Sequence, residues 1–402
     1  MVAGSAGNAA RSRLSLLAAL FLISMTLRPQ LTVVGPMLPR VQRALHISHG
    51  VGGLLSTVPV LCMGVFAPAA VFLSRRIGLR PAVAASTAAI GIAGLLRVIL
   101  PNAASVLLLT VPVGIGIGLS GALLPIVVKE RLGDRAGFAT GVYSSGIVLG
   151  SGLGALLAVP LATAGGRWET PFSVISAATL VLVPFWLLLS KELRGLTQLP
   201  GRLPKLPLRS GAGWWLVAVF ALQGMTYYGL NAWLADSYVE RGWSESTAGV
   251  LVTVLNVTSL PGTLLVVWFA DRFRSRRGLL VAASGLMTVG ALGIVLAPGG
   301  VWAWAAFDGV AGGAVFALLL ILPLDASSEP AEVGAYAGMM LGGGYALTAL
   351  SPFALGAARD ASGSFTISLW VIVATAAAVT AACAFAYPEP LRRRTVPARP
   401  DR

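Results

Sequence analysis

Long apolar segments recur along the whole chain and alternate with short polar ones. A run of about eighteen or more residues with few charges is long enough to cross a bilayer as a helix. The segments lack the period-two alternation of a membrane β-barrel. We therefore predict an all-α membrane protein with twelve transmembrane helices. The predicted spans are 14–39, 50–73, 82–100, 105–128, 138–162, 171–190, 214–238, 247–270, 279–297, 301–323, 333–357 and 364–387.

The composition excludes an ordinary soluble domain. Hydrophobic residues make up 56% of the 402 residues and charged residues 11%, whereas about a quarter of a soluble domain is charged. The net charge of +14 comes from short basic runs between the spans, which is not the basic face that nucleic-acid binding requires. Cys62 and Cys383 stand singly in distant apolar segments, and we expect neither a disulfide, a metal nor a cofactor.

The orientation follows from the basic residues of the loops. With the N-terminus on the cytoplasmic side, 22 of the 29 lysine and arginine residues fall on that side and 5 on the outer side. Both termini are therefore predicted to be cytoplasmic, in the plasma (inner) membrane. Arg11 and Arg13 before an apolar run imitate a signal peptide, but without a small-residue cleavage site we expect an uncleaved first span.

Short matches between the halves predict a duplicated six-helix unit. Met25-Thr26 matches Met225-Thr226, Gly53 and Thr57 match Gly249 and Thr253, and Leu124-Pro125 matches Leu322-Pro323, all at an offset of 196 to 200 residues. Because the matches occur in the same order and at nearly one spacing, they predict two parallel, pseudo-symmetric six-helix bundles with a substrate site between them at mid-membrane. We predict an N-terminal bundle at 1–190, a central cytoplasmic loop at 191–213, a C-terminal bundle at 214–390 and a basic tail at 391–402.

Arg28 is the main candidate for substrate binding. It lies fourteen residues beyond Leu14, about 21 Å along a helix, and an ionisable group at membrane depth indicates function. Its planar fork of donors suits a carboxylate or another small anion. Thr32 shares its face, and Pro29 favours a local kink. The alternative is that Arg28 forms a structural pair with an acid.

Other charges are expected near the outer ends of spans. Arg97 should snorkel to the interface, and Asp236 and Asp308 are expected to be interfacial carboxylates, although either is a candidate proton carrier. The sequence shows no unmistakable acid at mid-membrane, so the coupling ion stays open.

The seventh span, which corresponds to the first in the repeat, is the other polar helix. Gln223, Tyr227 and Asn231 follow at intervals of four residues, with Tyr228 and Trp233 beside them. Such amides and aromatic rings are typical of a small-molecule site, although they also serve as interhelical hydrogen bonds. Asn256, Tyr143 and Tyr345 on other spans are further candidates.

Several motifs together resemble the cyanate and 2-nitroimidazole transporter family of the major facilitators. They are Arg28 to Pro36, Leu55 to Gly64, Gly116-Ile-Gly118, Leu124-Pro125 to Lys129, Thr140 to Tyr143, Leu222-Gln223, Tyr228, Ala232-Trp233-Leu234 and Gly344-Tyr345-Ala346. The resemblance covers nearly the whole chain. It implies the major facilitator fold and a twelve-helix alternating-access carrier for small organic or inorganic solutes, cyanate among them.

The superfamily's cytoplasmic loop motif, Gly-x-x-x-Asp-Arg-x-Gly-Arg-Arg, is only partly present. Arg75 stands at its aspartate position, while Arg76 remains; in the second half Asp271 and Arg272 remain. The resemblance implies a gating role for Arg76, Asp271 and Arg272. We expect Asp271→Asn to change the transport rate more than the substrate affinity.

Three functions are compatible with these features. The first is a secondary carrier of a small anion with Arg28 as counter-charge, and the second a carrier or exporter of neutral or weakly basic drug-like molecules. The second usually needs a buried acid, and none is evident. The third, a non-transporting protein such as a membrane enzyme, lacks support because His46 and His49 are expected to be solvated in an outer loop. The expected partners are a small-molecule substrate, a candidate coupling proton and the lipid bilayer, and the protein is expected to be a monomer.

Overall fold

The computed structural model describes residues 2–100, 102–132, 136–193, 206–272, 276–327 and 329–391, without the side chains of 2–12, 136–137, 192, 267–268, 270–272, 330–331 and 390. Parts of the predicted central loop (194–205) and tail (392–402) lie outside the described residues. The α-helices are α1 (Val2–Ser24), α2 (Pro29–Thr32), α3 (Val34–Leu45), α4 (His49–Phe66), α5 (Ala69–Ile77), α6 (Leu79–Ile99), α7 (Ala103–Leu132), α8 (Ala136–Gly165), α9 (Glu169–Leu189), α10 (Gly211–Val239), α11 (Glu245–Arg272), α12 (Arg276–Leu296), α13 (Val301–Ile321), α14 (Pro323–Ala326), α15 (Pro330–Thr348), α16 (Leu350–Ser362) and α17 (Thr366–Phe385).

Four predicted spans are interrupted, each close to a proline. The first span breaks between Ser24 and Pro29, the second before Pro68, the tenth before Pro323 and the eleventh before Pro352. Proline lacks the backbone donor, so it removes one hydrogen bond of the helix, and its ring crowds the preceding turn. The most extended break, at 25–28, ends at Arg28, so the chain leaves regular helix where the main candidate residue lies.

Ten helices of the described residues are long and apolar enough to cross a membrane. Helix α10 and the α15–α16 pair, the predicted seventh and eleventh spans, are not among the ten. The polar residues that the sequence places on α10, such as Gln223 and Asn231, lower its hydropathy. The eleventh span is divided into two shorter helices at Ala349. The fold is nevertheless that of twelve helical segments in two bundles.

The two bundles meet through equivalent helices. Helix α4 packs against α15 and α16, and α8 packs against α11, while α3 contacts α10 and α11. The second segment of one bundle thus faces the fifth segment of the other in both cases. This exchange is the relation expected of a pseudo-twofold duplication.

Glycines on α8 bring this helix against the broken first span. A Cβ at Gly150 would overlap the carbonyl oxygen of Met25, and one at Gly154 would lie 2.7 Å from Pro29 Cα. Small residues allow such backbone contact between membrane helices. Because α8 lies directly against residues 25–29, it fixes the position of Arg28.

Replacement of Gly150 by alanine is expected to destabilise the protein and reduce transport. The added methyl group has no space beside Met25, and overpacking typically costs about 1–3 kcal/mol. Gly141→Ala on the same helix is the matched control, because nothing lies within 4 Å of its added Cβ. Thermal unfolding in detergent measures the difference, and equal melting temperatures would show that the contact has no structural role.

Ion pairs close the predicted outer end of the interface between the bundles. Glu245 at the start of α11 contacts both Arg40, at 2.5 Å, and Arg43 of α3. His49 Nδ1 lies 2.8 Å from Asp360 Oδ1, and His49 Nε2 lies 3.7 Å from Asp236 Oδ2. The expectation of a solvated His49 is therefore wrong: its ring is held by two carboxylates and lies beside Trp233.

Glu245→Gln is expected to favour opening of this outer end. An exposed ion pair contributes about 0.2–1 kcal/mol, so loss of two should raise the open-to-closed ratio about two- to thirtyfold. Distances between spin labels on the two bundles measure this ratio. Glu169→Gln removes the Arg167 contact within one bundle and should leave the ratio unchanged; an equal response of both variants would contradict the gate.

Candidate functional site

A central cavity lies between the bundles and is lined by both of them. Its free space amounts to about 790 Å³, including the part that opens to solvent. Glycine and hydrophobic side chains such as Phe220 and Phe316 form much of the wall. Its polar and charged lining residues are Arg28, Ser151, Gln223, Thr226, Tyr227, Tyr228, Asn256, Ser259, Thr263, Asp308 and Tyr345.

Arg28 reaches across the cavity to the opposite bundle. Its Nη1 donates a hydrogen bond to the hydroxyl of Tyr228 on α10, and its Nη2 donates one of 3.3 Å to the hydroxyl of Tyr345 on α15. Its Cζ also lies 5.6 Å from the ring centroid of Tyr228. Among the described residues, no carboxylate forms an ion pair with Arg28. Its hydrogen-bond partners there are tyrosine hydroxyl groups.

Asn256 joins three helices at the edge of the cavity. Its Oδ1 accepts hydrogen bonds of 2.8 Å from Ser151 Oγ on α8 and 2.7 Å from the Tyr227 hydroxyl on α10. Its Nδ2 donates one of 2.8 Å to Asn231 Oδ1. Asn256 is 1% exposed, so these bonds satisfy polar groups that water does not reach.

The structure brings together most of the residues predicted from the sequence. Gln223, Tyr227, Tyr228, Asn256 and Tyr345 line the cavity with Arg28. A small adjoining pocket is lined by Thr32 and Asn231 together with Arg28. The Thr32 hydroxyl, however, donates to the Ser151 carbonyl at 2.8 Å and so serves helix packing.

Two predicted residues lie away from the cavity. Trp233 is fully buried, and its indole nitrogen donates a 2.8 Å hydrogen bond to the carbonyl of Pro352, which fixes α10 to α16. Tyr143 packs against the core of the N-terminal bundle and is not among the lining residues. An aromatic side chain fills a packed core position as readily as a position in a binding site, so the residue type alone does not distinguish the two.

The predicted gating residues lie at or near the C-terminal ends of two helices. Arg76 is exposed at the end of α5. Asp271 and Arg272 end α11, but their side chains are outside the described residues. Their gating role stays a prediction.

Asp308 is a candidate functional residue that sequence reasoning misplaced. It was expected at the membrane interface, but it lines the central cavity and is only 4% exposed. Gly309 and Gly313, which follow it on α13, pack against the backbone of α11 at Leu255 and Ser259. That glycine-rich face was visible in the sequence and was the available signal that α13 turns this side inward.

Arg97 is also misplaced by the sequence. Instead of snorkelling it is 2% exposed, with its guanidinium carbon 4.6 Å from the ring centroid of Phe172. Its Nη2 donates a 2.5 Å hydrogen bond to Gln30 Oε1, and Gln30 in turn donates to Ser176. Since Gln30 lies two residues beyond Arg28, Arg97 supports the segment that carries the candidate binding residue.

Comparison with known proteins agrees with this architecture. The sequence model of the protein family described as Major Facilitator Superfamily matches residues 14–238. The chain is 33% identical over 351 residues to the cyanate transport protein CynX of Escherichia coli (strain K12). This alignment covers 87% of this chain and 91% of that protein. It is 28% identical over 362 residues to the 2-nitroimidazole transporter of Escherichia coli (strain K12), covering 89% and 92%.

A solved structure shows the same fold at low sequence identity. It is a bacterial homolog of the human lysosomal transporter Spinster, in an inward-facing and occupied conformation. It superposes with a TM-score of 0.75 at 17% identity and covers 96% of this chain and 97% of that one. The matching family model and the similarity to CynX lead to one conclusion: the chain belongs to the Major Facilitator Superfamily, as a multi-pass membrane transporter.

Proposed function

We propose that this transporter moves a small anionic solute by alternating access, with Arg28 as the counter-charge. The observation that carries the proposal is a guanidinium in the central cavity that donates hydrogen bonds to the hydroxyls of Tyr228 and Tyr345. A positive charge at membrane depth is costly without a negative partner. A bound anion would supply that partner, while the two tyrosine hydroxyls orient the guanidinium.

The contacts between the bundles support a rocking motion. The ion pairs of Glu245 and His49 close one end of the interface, and Arg28 and Ser151 bind to the opposite bundle at the cavity. Rocking would break the first set and open that end. Because Arg28 comes from one bundle and Tyr228 and Tyr345 from the other, a ligand held by all three would be gripped throughout the motion.

The relatives narrow the class of substrate. The name of one relative specifies cyanate, a small monoanion. An anion of that size fits the fork of a single guanidinium.

The assembly and orientation of the protein are also part of the proposal. We expect a monomer in the plasma membrane with both termini on the cytoplasmic side. We also expect the N-terminal bundle to end at residue 190 and the central loop to end at residue 213.

The experiment that tests this function is uptake by proteoliposomes that contain the purified protein. Labelled cyanate, formate, acetate, a nitroheterocycle and a lipophilic cation are offered in turn, with protein-free liposomes as the control. We expect saturable uptake of at least one anion, and inhibition of it by the others in excess. Saturable uptake of nitroheterocycles or lipophilic cations alone would contradict the proposal.

One observation favours a second candidate, a carrier of neutral or weakly basic molecules. The sequence argument against it was the lack of a buried acid, but Asp308 lines the cavity. Another relative is named for 2-nitroimidazole, a heterocycle, and the apolar walls suit a ring. This candidate predicts that a basic ligand binds through Asp308 and that its binding survives Arg28→Gln.

A further inference from the structure

A carboxyl group on α13 is buried in the central cavity without a hydrogen-bond partner for one of its oxygens. Asp308 is 4% exposed, and its Oδ1 has no partner. The backbone at Asp308 packs closely against Gly290 of α12, while the side chain lines the cavity that Arg28 also lines. The group therefore shares its surroundings with the proposed substrate.

Few charged or titratable groups face Asp308. The cavity offers Tyr227 and Tyr228 from α10, Tyr345 from α15, and Arg28 from the other bundle. Of the other segments packed against α13, residues 246–266 of α11, 279–296 of α12 and the turn Pro298–Gly300 contain no charged side chain. Helix α14 brings Asp325, which is paired with Arg276. Arg28, the cation that lines the same cavity, is hydrogen-bonded to Tyr228 and Tyr345.

Such surroundings oppose a negative charge on Asp308. An ionised carboxylate that is buried without a cation or a full set of donors is costly. A proton removes this cost and gives the carboxyl group a donor of its own. A metal ion would require several converging oxygen ligands, and the described residues contain no group of three or more acidic, histidine or cysteine side chains placed to hold a metal ion.

We propose that Asp308 is the proton-binding site of this transporter and that its protonation strengthens the binding of the anion at Arg28. The inference rests on the proposed function, because it assigns the coupling ion of that same cavity.

The linkage between the two sites is electrostatic. An ionised Asp308 would repel an anion in the cavity and attract the Arg28 guanidinium, and both effects weaken anion binding. Protonation removes both effects, and by reciprocity a bound anion strengthens proton binding. In one cycle a proton adds to a carboxylate oxygen of Asp308 and an anion binds Arg28, and both leave on the other side. A monoanion and a proton cross together without net charge.

The test is cyanate binding to the purified protein, measured by calorimetry at pH 6 and pH 8. Wild type is expected to bind about tenfold more tightly at pH 6, in line with the linkage. Asp308→Asn, whose neutral amide imitates the protonated acid, should bind equally at both pH values and near the tighter wild-type affinity. Unchanged pH dependence in this variant, or loss of binding at both pH values, would overturn the proposal.

Two further variants control for structural effects. Asp308→Glu retains a titratable carboxyl group and should retain the dependence on pH. Asp325→Asn removes another buried aspartate, which is paired with Arg276 at 2.5 Å. This variant should also retain the pH dependence of cyanate binding. If Asp325→Asn loses the pH dependence as fully as Asp308→Asn does, the pH dependence does not arise at Asp308.

A measurement without substrate separates this proposal from the proposed function. Infrared difference spectra between pH 6 and pH 9 report the carbonyl stretch of a protonated carboxyl group. We expect this band in wild type and in Asp325→Asn, its absence in Asp308→Asn, and a shifted band in Asp308→Glu. If cyanate does not bind but the band is present, the substrate class is wrong and the proton site stands. If wild type lacks the band, the proton site is wrong even where cyanate binds.

Discussion

Replacement of Arg28 by glutamine is expected to lower anion uptake at least about 30-fold. Loss of one member of a buried, hydrogen-bonded charge pair costs about 2–5 kcal/mol, and the anion would lose its counter-charge. Tyr228 and Tyr345 would remain, but hydroxyl groups alone do not balance a buried negative charge. Uptake of labelled cyanate into proteoliposomes measures the effect.

The controls for Arg28 separate charge from geometry. Arg28→Lys keeps the charge but loses the planar fork, so we expect partial uptake, between wild type and the glutamine variant. Arg167→Gln removes an exposed arginine that contacts Glu169 and should transport like wild type. Wild-type uptake by Arg28→Gln in correctly folded protein would show that Arg28 is architectural and not part of the substrate site.

Asn256→Ala is expected to reduce both the stability of the protein and its transport. The change leaves Ser151, Tyr227 and Asn231 each without one buried hydrogen bond. Such bonds between membrane helices are worth about 0.6 kcal/mol on average and up to about 1.7, so the free energy of unfolding should fall by about 2–4 kcal/mol. The melting temperature in detergent and the uptake rate report the two effects.

Ser284→Ala is the matched control for Asn256→Ala. Ser284 is fully buried in the same bundle, but its hydroxyl donates only to carbonyl oxygens of its own helix. Its loss therefore breaks no contact between helices and should change the melting temperature little. If both variants melt alike, the Asn256 network contributes no more than one local hydrogen bond.

Hydropathy predicts most of the fold. Apolar runs locate the spans because the backbone must satisfy its own hydrogen bonds within lipid, and each break in a span falls near a proline such as Pro29 or Pro68. The cavity residues on α10 were predictable as well, because Gln223 and Tyr227 recur on one side of a helix that corresponds to the Arg28 segment.

What the sequence does not reveal is which side of a helix faces which neighbour. Arg97 and Asp308 each lie near the end of a predicted span, which makes an interfacial position reasonable from distance along the helix alone. Arg97 is instead buried against Phe172 and Gln30, and Asp308 faces the central cavity. Trp233 is the opposite case, because it was expected in the cavity. It lies beside the polar face of α10, but its indole nitrogen donates to the carbonyl of Pro352 in the interior of the protein.

The most direct test of the anion site is thermal stability of the detergent-purified protein against a panel of ligands. The panel contains cyanate, monocarboxylates, dicarboxylates, nitroheterocycles and lipophilic cations, applied to wild type and to Arg28→Gln. A ligand that binds only the folded state raises the melting temperature. We predict that a small anion stabilises wild type and leaves Arg28→Gln unchanged. Stabilisation of both proteins to the same extent, by neutral or cationic compounds only, would contradict the anion site at Arg28.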